Sequence, residues 1–183
     1  MDDDRIQIIG SVMSGRGIAS RMLAHEICDF RRVLRQDLVP GTLNLITSRP
    51  VLFNEATALS VSNGRRLLWQ AVLSGHEVWL YRWPHAPLHV AELLAPFHLR
   101  ARFGLRDEDR VQLMVGREDV LPLSRQRRLA WALIWAGRGR WSYRRDSYYR
   151  RTRQLAIDLG ATQQPAQLGM IRATLRFLRR GFR

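Results

Sequence analysis

Six short runs of apolar or alternating residues, Arg5 to Val12, Thr42 to Thr47, Arg66 to Leu73, Glu77 to Trp83, Leu88 to Leu94 and Arg110 to Val115, set the first constraint on this chain. Each has the length of a strand, and turns rather than a regular series of long helices separate them. That pattern favours a small closed or nearly closed barrel over a doubly wound sheet. Between the first two runs, His25 to Gln36 carries Ile27, Phe30, Val33 and Leu34 at helical spacing, with Arg31, Arg32 and Arg35 around the rest of the wheel. A second short helix is expected after Pro96, so the fold class is mainly β with some α.

Charge then divides the chain. Residues 1–116 hold 14 Arg against 12 acidic residues, net +2, whereas 117–183 hold 16 Arg against Glu118, Asp119, Asp146 and Asp158, net +12. The expected organisation is a β-barrel domain over 1–116 followed by a basic helical extension over 117–183. The extension reads as three helices: Leu123 to Trp135; Ser147 to Leu159 behind Asp146 as N-cap; and a third with Pro165 in its first turn and Gly181 as its stop. In the third, Leu168, Ile171, Leu175 and Leu178 share one face and Arg172, Arg176, Arg179 and Arg183 oppose them. The simplest account is a helix packed on the barrel with a solvated basic face. An acidic substrate and an anionic membrane surface, with Trp131, Trp135 and Trp141 as interfacial anchors, are the alternatives, and nucleic acid ranks behind them.

The single cysteine, Cys28, excludes an internal disulfide and fits a reducing compartment, with a small buried apolar side chain as its expected role. Met1-Asp2-Asp3-Asp4 is acidic where a secretory signal carries positive charge, and no apolar run approaches the roughly 18 residues of a spanning helix. The expectation is a cytoplasmic protein, peripheral to the membrane if the extension docks there. All 30 basic residues are arginine, which base composition of the coding DNA explains as readily as function.

Three motifs carry the chemistry. Ser14-Gly15-Arg16-Gly17-Ile18-Ala19-Ser20 is a glycine-rich turn whose backbone N–H groups can approach phosphate oxygens, with Arg16 adding a charge. Val39-Pro40-Gly41-Thr42-Leu43-Asn44-Leu45 follows, a rigid turn leading into an extended segment on which Thr42 and Asn44 point the same way. Their hydroxyl and amide oxygens suit one magnesium ion whose shell is completed by nucleotide phosphates; in isolation they read as a structural turn. The third is Glu92-Leu93-Leu94-Ala95-Pro96-Phe97-His98-Leu99-Arg100, with Phe103-Gly104-Leu105-Arg106-Asp107-Glu108-Asp109-Arg110-Val111 behind it. His85 and His89 have i, i+4 spacing but lie in a Pro-containing, strand-like stretch with no third ligand nearby, which argues against a metal site.

In this order the three motifs resemble those of the archaeal-type CTP-dependent riboflavin kinases, over roughly residues 5–116. The resemblance implies a six-stranded Greek-key barrel of the cradle-loop kind. It also implies CTP as donor, Mg2+ held by Thr42 and Asn44, and phosphates at Gly15, Arg16, Gly17, Ile18, Ala19 and Ser20. Phe97, His98, Leu99 and Arg100 would face the cytidine nucleotide, and Glu92 would orient the acceptor or take its proton. The sequence departs from the family at Ala19 and Glu108, where members carry glycine, and at Tyr81 to His89, where no flavin-contacting threonine is found. The acceptor therefore stays open between riboflavin and a sugar, polyol or lipid-linked alcohol. A second reading is a non-catalytic nucleotide- or flavin-sensing module with a nucleic-acid-binding tail.

Overall fold

The computed structural model describes residues 4–15, 18–137 and 146–179. They divide into two compact units, 1–83 with 89–121, and 84–88 with 122–183. In the first lie β1 (Arg5–Met13), α1 (Ile18–Leu34), β2 (Leu43–Thr47), β3 (Leu52–Phe53), β4 (Leu59–Val61), β5 (Arg66–Leu73), β6 (His76–Arg82), β7 (Val90–Leu94), α2 (Leu99–Phe103), β8 (Arg110–Gly116) and β9 (Val120–Leu121). The six expected strands are the six that close the barrel. Their order is β5-β6-β7-β2-β1-β8, every pairing antiparallel, and β8 returns to β5 through Ala71 opposite Val115. β4 adds to the first residues of β5, and β3 pairs with β9. These two- and three-residue strands are too short to leave a periodic trace.

Alternation explains the interior. Leu43 and Leu45, Trp69, Ala71 and Leu73, Val78 and Leu80, Ala91 and Leu93, and Leu113 and Val115 all enter one core. The intervening residues face outward, and on one side α1 covers them. Leu23, Ile27, Phe30 and Leu34 of α1 pack on Leu68, Tyr81 and Leu94 of the barrel wall. The helix starts at Ile18 rather than His25 and ends at Leu34, before Arg35, whose φ of 51° leaves helical space. Cys28, expected to be buried, is exposed. The helix buries positions 23, 27, 30 and 34, and residue 28 lies about 100° off that stripe.

The second unit holds α3 (Arg125–Trp135), α4 (Asp146–Leu159) and α5 (Met170–Arg179) around Ala130, Ile134, Trp135, Ala156, Leu159 and Ala173. Ser124 caps α3 by accepting from the Arg127 N–H. The Arg127 guanidinium donates to the carbonyls of Gly160, Thr162, Gln163 and Gln164, fixing the chain beyond α4. Three expectations fail here. Pro165 precedes α5 instead of opening it, since the helix starts at Met170. Trp135 is buried against Tyr148 and Tyr149 and is no interfacial anchor. The Ile171, Leu175 and Leu178 face is exposed rather than packed, because α5 rests on the small Ala173 instead. Trp141, Gly181 and Arg183 lie outside the described residues. Among the described residues no helix is long and apolar enough to cross a membrane.

Candidate functional site

One rung of the barrel brings the motifs together. Met13 stands opposite Asn44, Asn44 opposite Glu92, and Glu92 opposite Tyr81. Directly opposed residues share a face with Cβ atoms about 4.5–5.5 Å apart. Leu43, Leu45 and Leu93 take the interior, so Asn44 and Glu92 point outward, each only 5% exposed.

The turn ahead of β2 is shaped by Gly41, whose φ of 130° side chains other than glycine rarely adopt. It delivers the Thr42 hydroxyl to Asn44, Oγ1 to Oδ1 3.3 Å. Neighbouring ligands on an octahedral Mg2+ at 2.0–2.1 Å stand about 3.0 Å apart, and both oxygens are neutral hard donors, so the pair fits that ion. Gly15 packs on the same group, since a Cβ built there would overlap the Asn44 amide. The glycine turn and the Pro-Gly-Thr-Leu-Asn run are thus in direct contact.

Arg16 and Gly17 lie outside the described residues. Ile18, Ala19 and Ser20 are the first turn of α1 rather than loop. Their N–H groups belong to a helix start, where amides lack intrahelical acceptors and the dipole favours an anion. The sequence motif therefore reads as a loop feeding a helix N-terminus.

A cleft of about 250 Å3 lies beside this point, lined by Pro40, Gly41 and Thr42 on one side and Phe97, His98, Leu99 and Arg100 on the other. The Val39 N–H donates to the Ala95 carbonyl at 3.0 Å, joining the two walls. α2 starts after His98 and ends on Gly104 in the left-handed conformation, φ 62°. The following turn carries Asp107. Its carboxylate accepts from the Ser14 hydroxyl at 2.9 Å and from the Arg100 guanidinium at 2.8 Å. Partial desolvation works to raise its pKa, but those hydrogen bonds outweigh it and hold the carboxyl below its ordinary value. Asp107 thereby ties the start of the glycine turn to the cleft wall.

The other side of the rung is charged. Arg66 on β5 makes a two-pronged ion pair with Glu26 of α1, at 2.7 and 3.0 Å. Burial would lower the Arg66 pKa, yet the Glu26 hydrogen bonds and the charges around it raise it. Tyr81, between Arg66 and Glu92, is held strongly protonated, chiefly by burial. Glu92, only 5% exposed, sits in this wall with Asn44 beside it. Sequence inspection missed Glu26 and Arg66 because their pairing joins elements 40 residues apart.

His85 and His89 part company. His89 is buried in the barrel unit, its pKa pushed down to about 3 by burial and by Arg82, whereas His85 belongs to the segment grouped with the helical unit. Among the described residues no group of three or more His, Cys, Asp or Glu is placed to hold a metal ion.

Comparison with known proteins adds an independent line. No protein-family model matches the chain. The riboflavin kinase of Ignicoccus hospitalis is 31% identical over 129 residues, an overlap covering 60% of this chain and 71% of that protein. The riboflavin kinase of Pyrobaculum islandicum is 32% identical over 129 residues, covering 60% of each. With the closed barrel and the joined motifs, this identity over most of a relative's length places the chain in the riboflavin kinase family.

Proposed function

We propose that the barrel unit transfers the γ-phosphate of CTP, with Mg2+, to a primary hydroxyl of riboflavin or a flavin-like alcohol. The observation that carries this reading is the contact of Gly15 with Asn44 in the rung that also holds Glu92, with Thr42 against Asn44. A phosphate-accepting turn, a hard-cation pair and a carboxylate then stand within one strand spacing of each other. The related riboflavin kinases support the acceptor class.

Phosphoryl transfer asks for alignment and charge neutralisation more than covalent help. The amides at the start of α1 and the Gly15 turn receive the donor phosphates. Thr42 and Asn44 hold Mg2+, which when bound supplies positive charge to the phosphoryl oxygens. Phe97 to Arg100 line the cleft for the base, where main-chain donors and acceptors can read a cytosine edge. Glu92 accepts a hydrogen bond from the attacking hydroxyl and takes its proton as the oxygen–phosphorus bond forms and the bond to the bridging oxygen breaks, so that CDP leaves.

The test is a panel of CTP, ATP, GTP and UTP, each with and without Mg2+, read as thermal stabilisation and as flavin mononucleotide formed from riboflavin. The expected result is a CTP-selective shift that needs Mg2+, together with product. A ligand at one hundred times its dissociation constant stabilises by about 2.7 kcal/mol, which separates the nucleotides clearly. Stabilisation by ATP alone overturns the donor, and CTP binding without flavin phosphorylation overturns the acceptor.

A further inference from the structure

The α5 helix is divided into three arcs. Ala173 is fully buried and, with Leu168 and Met170, joins the core of the helical unit. Ile171, Leu175 and Leu178, spaced i, i+4, i+7, are 78%, 49% and 63% exposed. At 100° per residue, Arg172 and Arg179 occupy the arc next to them, and both are exposed. Arg176, one step further round, turns back to Asp158 at 3.2 Å. α3 repeats the design: Leu129 and Leu133 are 50% and 59% exposed, with exposed Arg125 and Arg128 on the same side of the wheel. Of the nine large exposed hydrophobics among the described residues, five belong to these two helices. Apolar exposure is therefore concentrated where arginine is concentrated.

We propose that the helical unit docks on an anionic lipid surface, with Ile171, Leu175 and Leu178 entering the headgroup–acyl boundary and Arg172 and Arg179 meeting lipid phosphates. Charge complementarity selects this occupant. A second copy of the chain, which itself carries a net charge of +14, would bring arginine arc against arginine arc. Nucleic acid phosphates would satisfy the arginines but leave three large aliphatic side chains in water. A bilayer containing acidic headgroups answers both halves of the face, as amphipathic interfacial helices do. The inference does not depend on the kinase reading.

The experiment is co-sedimentation of the full chain with phosphatidylcholine vesicles containing phosphatidylglycerol, and with phosphatidylcholine vesicles alone. Binding is expected only with the anionic vesicles and is expected to weaken as salt rises. The pair Ile171→Gln with Leu175→Gln, and separately Arg172→Gln with Arg179→Gln, should each lower partitioning about tenfold or more. Melting temperature should hold in both, because these side chains are exposed. Absence of sedimentation by the parent chain overturns the proposal, as does equal binding to both vesicle types. So does a concentration-dependent dimer that the aliphatic pair abolishes, or DNA binding that falls with the arginine pair while vesicle binding does not.

Discussion

The edge formed by Gly15, Thr42 and Asn44 and the wall formed by Glu26, Arg66, Tyr81 and Glu92 lie along one side of the barrel, yet their electrostatics differ. The edge presents neutral side-chain oxygens and backbone amides. The wall pairs Arg66 with Glu26 and keeps Tyr81 neutral by burial. A neutral edge gains most from a ligand that brings both charges with it, as a metal-bound nucleotide does. Within that wall the Arg66–Glu26 ion pair is self-compensating. Removing an oxygen from the edge should therefore cost activity, and removing a charge from the wall should cost stability.

The largest expected effect falls on the edge. Thr42→Ala and Asn44→Ala should each lower phosphate transfer by about a thousandfold, several kcal/mol of transition-state charge stabilisation. Each should still unfold cooperatively in denaturant, because the Thr42–Asn44 contact joins two neutral groups. Full activity in both variants would remove the edge from the site. On the wall, Arg66→Leu leaves Glu26 without its partner beside Tyr81 and Glu92, and should destabilise by about 3 kcal/mol in urea titration. A loss below about 0.5 kcal/mol would show that the Arg66–Glu26 pair does not hold the wall as argued. Gly15→Ala tests the join between turn and edge. Its new Cβ meets the end of a movable side chain, so the fold should tolerate it, but Asn44 must swing away. A ten- to thirtyfold loss of activity, about 1.4–2 kcal/mol, should appear with a higher Mg2+ requirement.

The two halves also differed in how far the sequence disclosed them. The barrel was legible because period-two alternation is enforced along a strand that has one wet and one dry side, so Arg110 to Val115 reads in sequence as it stands in space. The edge was legible because turns that bend sharply need glycine and proline, and Gly41 carries its conformational demand in its identity. The wall was not, because an ion pair between Glu26 and Arg66 leaves no local trace in either segment. Cys28 and the aliphatic face of α5 failed for a related reason. Helical periodicity states which residues share a face but not which face a neighbour covers, and α5 buries Ala173 where three larger side chains competed for the role.

The turn behind α2 supports the edge, and its substitutions should be milder. Asp107→Asn keeps the shape but removes the charge that draws Ser14 and Arg100 together. The expected outcome is a nucleotide KM raised about fivefold to tenfold with kcat nearly unchanged, on the order of 1 kcal/mol. The pH sign follows from the depressed pKa. The folded state binds the proton less readily than the unfolded chain, so the stabilisation is present above the ordinary carboxyl pKa and is lost as pH falls through the lower folded value. Asp107→Asn should flatten that acid limb in a melting series, and an unchanged limb would assign it to other carboxylates.

The smallest effect has the opposite sign. Glu108 sits at φ 77°, a left-handed conformation that costs a residue with a Cβ about 1–2 kcal/mol, and its N–H still donates to the Val12 carbonyl at 2.8 Å. The resemblance noted in the sequence implies glycine at this point. Glu108→Gly relieves the strain but gives the unfolded chain more freedom, worth about 0.4–1 kcal/mol in the other direction. The net expectation is a gain of about 0.5–1 kcal/mol in urea titration, with kcat and KM unchanged because the side chain is exposed. Glu108→Asn, which tolerates the left-handed region without glycine's entropy, should gain a similar amount. If both variants lose stability, contacts of the Glu108 side chain outweigh its backbone strain, and the turn holds the edge by charge as well as by shape.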